Sequence, residues 1–224
     1  MQTQEPGKIS AMINDFLHAL VTLFVVIDPL GCVIIFSSLT VGTNIKYQRY
    51  TALRITFVAA AILLFFTFFG EGLIRALGVS MDAFSIAGGS LLFLVAIEMV
   101  IEKRSKRRQQ HSERVYKDIE DHQSSMEDED ISVFPLAIPM IAGPGTLATV
   151  MLLSGKPGPS AKMVTLGATS AILLLTLIAM LLAGVLVQKI KKPIIDAITR
   201  LLGVILAALA TQFILDGIQG FFDL

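Results

Sequence analysis

The sequence predicts an all-α polytopic membrane protein whose six transmembrane helices form two inverted three-helix repeats, with the first and fourth helices broken. Three observations lead to this prediction. The 224-residue chain is 54% hydrophobic with a mean hydropathy of +0.74, which far exceeds what a soluble domain of this size needs. Its apolar residues fall in six stretches near or above the ~20 residues that cross a ~30 Å hydrocarbon core. Two of these stretches carry helix-breaking motifs that lie 115 residues apart.

The six stretches divide the chain into two halves. They lie at 14–39, 51–73, 83–101, 132–154, 163–187 and 200–222. The first stretch is too long for a signal peptide and has only Lys8 as a basic flank, so we expect it to be retained. The fourth contains Pro135, Pro139 and Pro144, which predicts a discontinuous span. We therefore expect a first repeat at 1–101, a charged linker at 102–131 and a second repeat at 132–224.

Both interrupted stretches place proline and glycine inside a membrane span. The first carries Ile27-Asp28-Pro29-Leu30-Gly31, and the fourth carries Ala142-Gly143-Pro144-Gly145. A bilayer supplies no water to the backbone groups that such a break releases, so each break must face packed protein or a wet cavity. Many secondary transporters build a midplane binding site in this way.

The residues at the two breaks are the predicted substrate-binding residues. They are Asp28, Pro29, Gly31, Gly143, Pro144, Gly145 and Thr146. The N-terminal ends of the half-helices carry partial positive charge that suits a carboxylate, and the unwound carbonyls suit an ammonium group. A small zwitterion satisfies both. A purely structural interpretation stays open, in which the breaks improve packing and the Thr146 hydroxyl bonds to its own helix.

Asp28 is the first candidate for a coupling residue. An acidic side chain near the centre of a span costs about 2.5–3.5 kcal/mol on insertion scales, so it is rarely found there without a partner or a cavity. It is therefore predicted to bind a proton or the ammonium group of a substrate. The structural alternative is that its carboxylate caps the second half-helix. The two interpretations are compatible, since a capping carboxylate can also titrate.

Three more polar residues, in the third and sixth stretches, are candidates for coupling or for lining the path. Glu98 and Gln212 occupy equivalent positions in the two repeats, and Asp216 lies one helical turn beyond Gln212. Glu98 is also close to the basic run that begins at Lys103, so snorkelling to the membrane interface is an alternative.

The repeat is visible in the register of the two halves. An offset of 115 residues pairs Pro29 with Pro144, and an offset of 114 pairs Gly89 with Gly203. Because three spans is an odd number, the second copy must enter the membrane from the opposite face. The alternative is a chance match of apolar helices. At the offset of 114 the further matches are Gly70 with Gly184, Leu92 with Leu206, and Ala96 with Ala210.

The distribution of charge predicts the orientation. Eighteen basic and eighteen acidic residues cancel, so the total charge indicates no nucleic-acid partner. If the six spans alternate, fourteen basic residues share one side, and the other side keeps only Lys8, Arg75, Lys156 and Lys162. The positive-inside rule then predicts a cytoplasmic central loop and both termini outside, in the periplasm of a Gram-negative cell. The single cysteine, Cys32, excludes an internal disulfide and a cysteine-based metal site, and we expect no metal and no cofactor.

Four motifs in order show that the chain resembles the MarC family of bacterial and archaeal inner-membrane proteins, which includes the SnatA-type small neutral amino acid transporters. These motifs are Asp28-Pro29-Leu30-Gly31, Ala87-Gly88-Gly89-Ser90-Leu91-Leu92-Phe93-Leu94-Val95-Ala96, Pro135-Leu136-Ala137-Ile138-Pro139-Met140-Ile141-Ala142-Gly143-Pro144-Gly145-Thr146, and Arg200-Leu201-Leu202-Gly203 with Gln212-Phe213-Ile214-Leu215-Asp216-Gly217-Ile218. The chain departs from the family pattern with Cys32 where asparagine is common and Ile34 where proline is common.

The resemblance implies a multi-pass protein of the inner (plasma) membrane that transports a glycine- or alanine-like amino acid. The broken helices favour alternating access, and Asp28 predicts proton coupling. The alternatives are an exporter or a channel for another small metabolite or drug. An intramembrane enzyme is a further alternative, but no nucleophile elbow, zinc-protease motif or phosphate-binding loop is present, so we expect no enzymatic activity. The sequence leaves the oligomeric state open.

Overall fold

The structure is a computed structural model that describes residues 5–40, 42–101, 141–156, 158, 160–184 and 192–222. The described residues form helices and connections, with no strand among them. The predicted linker and the first part of the fourth predicted span lie outside these residues. The helices are α1 (Glu5–Ile27), α2 (Pro29–Leu39), α3 (Ile45–Ala76), α4 (Met81–Val100), α5 (Pro144–Ser154), α6 (Ala161–Leu181) and α7 (Lys192–Phe222).

Five helical segments of the described part are long and apolar enough to cross a membrane. They are Ser10–Leu39, Ile45–Ala76, Met81–Val100, Ala161–Leu181 and Pro193–Phe222. The predicted all-α membrane protein is therefore confirmed. Helices α3 and α7 begin before the predicted spans at 51 and 200, because both helices continue through residues such as Lys46, Gln48 and Asp196 that interrupt the apolar stretch. At ~1.5 Å per residue α3 is ~48 Å long, which exceeds the ~30 Å hydrocarbon core.

The first span occupies the centre of the bundle. Of the most apolar window of this span, 67% is buried inside the protein. The corresponding share is 28% for each of the spans formed by α3, α4 and α7. The cause is that α1 contacts α5, α6 and α7, while α2 contacts α6. Phenylalanines such as Phe57 and Phe69 are exposed on α3, where lipid would cover them. The breaks therefore lie among protein neighbours.

The helices of the bundle end at two opposite faces, which we call the Asp15 end and the Asn44 end. At the Asp15 end, Asp15 of α1 lines one cavity with Ser160 before α6, and the α5–α6 connection meets the start of α4 where Gly155 faces Met81. The Asn44 end contains the α2–α3 connection, the end of α4 and the start of α7. Helices α1 and α6 thus run in the same direction.

Helices α4 and α7 pack closely at four glycines of α4 and α7, and we call the contact at two of them, Gly89 and Gly203, the glycine seam. A Cβ atom on Gly89 would lie 2.8 Å from the carbonyl oxygen of Ala210, and one on Gly203 would lie 3.2 Å from the carbonyl oxygen of Ala96. Only glycine lets the two backbones approach so closely, as is common between membrane helices. The seam holds the two helices antiparallel.

Candidate functional site

The first break occurs at Asp28, between α1 and α2. Asp28 has φ 53° and ψ 71°, the left-handed conformation, and it is the only non-glycine residue with positive φ in the described part of the chain. Aspartate and asparagine enter this region more readily than other side chains. The side chain is 2% exposed and accepts a hydrogen bond from the backbone N–H of Gly31 at 3.1 Å. Asp28 therefore caps α2, as its structural interpretation predicted.

Pro29 shapes the hydrogen bonds around this break. It is the first residue of α2 and has no N–H, so the carbonyl of Val25 loses the donor that a continuous helix would give it. The Sγ of Cys32 donates to the carbonyl oxygen of Ile27 at 3.4 Å. The end of α1 and the start of α2 thus leave backbone groups at mid-span that are not bonded in the regular helical pattern.

The second break is at the start of α5. Gly143 caps this helix in an extended conformation, and Pro144 follows as its first residue. Gly143, Gly145 and Thr146 are buried, whereas Pro144 is exposed. The Thr149 hydroxyl donates to the carbonyl oxygen of Gly145 at 2.8 Å, so this threonine bonds within its own helix.

The two breaks lie against each other. A Cβ atom on Gly145 would lie 3.7 Å from a side-chain methyl of Val26, two residues before Asp28, and 3.4 Å from Leu92 of α4. Helices α2 and α5 each contain 11 residues and each begin with proline. Such a helix is ~16 Å long, about half of the hydrocarbon core. Because α2 runs to the Asn44 end and α5 to the Asp15 end, their N-termini face one another near the middle of the bundle.

The structure does not bring the other predicted path residues to these breaks. Glu98 is half-buried in the last turn of α4, at the Asn44 end. Gln212 and Asp216 lie on α7 toward the Asp15 end, where the amide nitrogen of Gln212 donates to a carboxylate oxygen of Asp216 at 2.6 Å. Both of these side chains are exposed. The predicted roles of these three residues stay predictions.

Hydroxyl groups dominate the polar interior. Among the residues whose burial the structure describes, Asp28 is the only buried charged side chain, and the other buried polar residues are all serine or threonine. Most of these hydroxyls donate to a carbonyl of their own helix, as Thr22 and Thr176 do at 2.8 Å. Thr169 of α6 differs, because its buried hydroxyl has no hydrogen-bond partner among the described residues.

A cavity at the Asp15 end was not predicted from the sequence. It has a volume of about 200 Å³ and lies between α1, the end of α5 and the start of α6. Asp15 and Lys156 are exposed at its rim, while Ala19, Leu153 and Thr165 are buried at its base. We call it the Asp15 cavity. Asp15 lies 13 residues from Asp28 on the same helix, so no local motif links the two.

No group of three or more histidine, cysteine, aspartate or glutamate side chains that could hold a metal occurs among the described residues. The described centre consists instead of two helix N-termini, one carboxylate and several hydroxyls. Groups of these kinds interact with other molecules through hydrogen bonds and dipoles.

Membrane-spanning helices packed around two opposed half-helices define a polytopic integral membrane protein with a broken-helix centre. The chain belongs to the MarC family of integral membrane proteins, whose family model matches residues 13–222. It is 34% identical to the UPF0056 membrane protein MJ1677 of Methanocaldococcus jannaschii, over 92% of this chain and 96% of that protein. It is 34% identical to the UPF0056 membrane protein YvbG of Bacillus subtilis, over 94% and 97%.

The name of a third relative states the membrane in which that protein lies. The UPF0056 inner membrane protein YhgN of Escherichia coli K12 is 33% identical, over 92% of this chain and 97% of that protein. No solved structure matches the chain. The family and the membrane location are thus established, and the names of these relatives state no substrate.

Proposed function

We propose that this protein is a secondary transporter that works by alternating access around a site between its two broken helices. The observation that carries the proposal is the pair of half-helices α2 and α5, which have equal length, both begin with proline and face each other with their N-termini near mid-span. A packing kink alone needs no second, opposed copy. Transport without chemical conversion of the substrate is part of the proposal, so the protein is not an enzyme.

Two inverted three-helix repeats are the architecture that we propose for the transporter. The contacts of the glycine seam support it. At the offset of 114 residues Gly89 corresponds to Gly203 and Ala210 to Ala96, so the contact of Gly89 with Ala210 has the contact of Gly203 with Ala96 as its counterpart. The next neighbours match too, since Gly89 faces Ile214 and Gly203 faces Val100. Residues with the same sum of positions lie level with one another in any antiparallel helix pair, so the support comes from the residue types, since glycine occupies both equivalent positions of the contact.

A small neutral amino acid such as glycine or alanine is the proposed substrate. The two N-termini offer N–H groups and partial positive charge to a carboxylate. The carbonyl of Val25, which Pro29 deprives of its regular helical donor, and the Asp28 carboxylate offer acceptors to an ammonium group. Gly145 has no side chain, and a Cβ there would be in van der Waals contact with Val26 and Leu92, so glycine lets the two breaks pack closely against each other.

Asp28 is the proposed site of proton coupling. It is the buried carboxylate of the described centre and lies where substrate would bind. Protonation there would change both the charge of the site and the cap of α2, which links proton occupancy to the geometry of the break. The predicted orientation, with the termini outside and the central loop in the cytoplasm, then makes the Asp15 end the outer end.

The test is uptake of radiolabelled glycine and alanine into proteoliposomes that contain the purified protein, with and without an imposed pH gradient. Gly145→Leu is the site variant, because a Cβ there already lies 3.4 Å from Leu92 and 3.7 Å from Val26, so a larger side chain would push the two breaks apart. Gly72→Leu is its matched control, because Gly72 of α3 has nothing within 4 Å of its Cβ position.

We expect concentrative uptake by the wild type and by Gly72→Leu, and none by Gly145→Leu. Uptake that only equilibrates, and that unlabelled substrate on the opposite side of the membrane does not accelerate, would indicate a passive channel and reject alternating access. Absence of uptake of either amino acid would reject the substrate.

A further inference from the structure

Two side chains of opposite charge line the Asp15 cavity without forming an ion pair with each other. Asp15 and Lys156 both line it, and neither forms an ion pair with a described residue. Elsewhere at the same end, Glu71 forms an ion pair with Arg75 at 2.9 Å and lies 3.9 Å from Lys162. Asp15 and Lys156 differ from these residues because they remain unpaired within the described part of the chain. The cavity thus presents an anionic group on α1 and a cationic group on the α5–α6 connection.

The base of the cavity suits a small molecule with a short apolar part. Ala19 and Leu153 are buried there, and Ser160 and Thr165 add hydroxyl groups. A volume of about 200 Å³ corresponds to roughly seven water molecules at ~30 Å³ each. That is room for a small amino acid, with its ammonium group toward Asp15 and its carboxylate toward Lys156.

The cavity and the central breaks share two helices, which fixes the distance between them. From Ala19 to Asp28, α1 advances nine residues, or ~13 Å, and from Leu153 to Gly145, α5 covers eight residues, or ~12 Å. The two distances agree, so the cavity lies ~12–13 Å from the breaks, toward the Asp15 end. The cavity and the breaks are therefore two separate places along α1 and α5.

Thr169 lies on α6 between the cavity and the middle of the bundle. It is one helical turn, ~6 Å, beyond Thr165 on the same face of α6, in the direction that leads from the Asp15 end toward the middle of the bundle. Its hydroxyl is buried and without a hydrogen-bond partner among the described residues, a condition that costs ~1–3 kcal/mol. A ligand that passes from the cavity to the breaks would supply the missing partner.

We propose that the Asp15 cavity is a second binding site for a small zwitterion, in which Asp15 receives the ammonium group and Lys156 the carboxylate, before the molecule passes Thr169 to the breaks. The proposal rests on the proposed transport of a small zwitterion. It adds an outer site with its own residues, which the central site does not contain.

The test separates occupancy of this site from transport. Ser160→Cys places a thiol at the cavity, and Ser160 makes no side-chain capping bond that the change would remove. The native Cys32 is fully buried, so the wild type serves as the labelling background. The rate of reaction with a membrane-impermeant maleimide is measured on the full chain in proteoliposomes, with glycine, alanine, methylammonium or acetate present.

We expect glycine and alanine to slow the labelling at least fivefold. Methylammonium and acetate each carry only one of the two charges, so we expect them to slow it much less. Asp15→Asn or Lys156→Gln should remove most of the protection. Lys162→Gln is the matched control, because Lys162 lies at the same end but does not line the cavity, and it should leave the protection unchanged. The double variant Asp15→Lys with Lys156→Asp should restore part of it, because a zwitterion can bind in the reversed orientation.

In uptake assays, Asp15→Asn and Lys156→Gln should raise KM about tenfold and leave kcat nearly unchanged, as expected for groups that bind without acting on the moving step. Protection of the thiol without uptake would reject glycine and alanine as transported substrates and support the outer site. Uptake without protection, with an unaltered KM in both variants, would overturn the outer site and leave the proposed transport standing.

Discussion

Substitution of Asp28 tests its two roles separately, because aspartate, asparagine, glycine and alanine differ in charge, capping and tolerance of positive φ. Asparagine keeps a good N-cap and enters the left-handed region readily, but it cannot ionise. Glycine tolerates φ 53° and loses the side-chain bond to Gly31. Alanine loses the bond and also has a Cβ that disfavours this conformation.

The magnitudes follow from these differences. Loss of the cap costs about 0.5–2 kcal/mol when alanine replaces aspartate, and only a few tenths when glycine does. The left-handed conformation costs alanine a further ~1–2 kcal/mol. We therefore expect Asp28→Ala to lower the free energy of unfolding by about 2–3 kcal/mol, and Asp28→Gly and Asp28→Asn by less than about 1 kcal/mol.

Two assays report the two roles. For a chain of this length 1 kcal/mol shifts the melting temperature by ~2–4 °C, so the alanine variant in detergent should melt roughly 4–12 °C below the wild type. In proteoliposomes Asp28→Asn should lose the accumulation that is driven by a pH gradient, while exchange of labelled for unlabelled substrate continues.

Two results would refute the reasoning. If Asp28→Ala melts at the same temperature as Asp28→Asn, the cap and the backbone conformation do not contribute as argued. If Asp28→Asn accumulates substrate in response to a pH gradient as the wild type does, then Asp28 is not the proton-coupling residue.

Three further substitutions test the packing and the path. Gly89→Ala should destabilise the protein by several kcal/mol, because its Cβ would lie 2.8 Å from a backbone carbonyl oxygen of α7, whereas Gly72→Ala should be neutral or stabilising; melting temperatures in detergent compare them. Ser85→Ala should cost about 1 kcal/mol in the same measurement, because the Ser85 hydroxyl donates to the carbonyl oxygen of Phe213 on α7 at 2.8 Å, and equal stability would contradict this. Thr169→Val should leave the stability unchanged or raise it by ~1 kcal/mol yet slow uptake, and unchanged uptake would exclude the hydroxyl from the path.

The breaks were predictable from the sequence because proline and glycine act locally. Pro29 and Pro144 each remove a donor at one position, and the structure begins a helix at each of them. The capping role of Asp28 was foreseen for the same reason, since it depends on a residue three positions away. Its left-handed backbone was not foreseen, because a pattern of residue types does not fix φ at a single position.

The Asp15 cavity was not predictable in this way. Asp15, Lys156 and Thr165 come from three separate elements, and only the packing of α1 against α5 and α6 brings them together. Alternation of spans places Asp15 and Lys156 on the same side of the membrane, but it does not say which side chains share a cavity. The unpartnered hydroxyl of Thr169 could not be predicted from the sequence either, because a threonine hydroxyl in a helix usually bonds to the carbonyl four residues earlier.

The glycine seam has a consequence for how the proposed transporter would move. In an inverted repeat the two halves exchange conformations when the protein turns from one face to the other. That exchange converts the contact of Gly89 with Ala210 into the contact of Gly203 with Ala96, and both contacts are already present together. The seam between α4 and α7 can therefore remain closed throughout the cycle and act as the fixed pivot, while the half-helices α2 and α5 swing open alternately to either face.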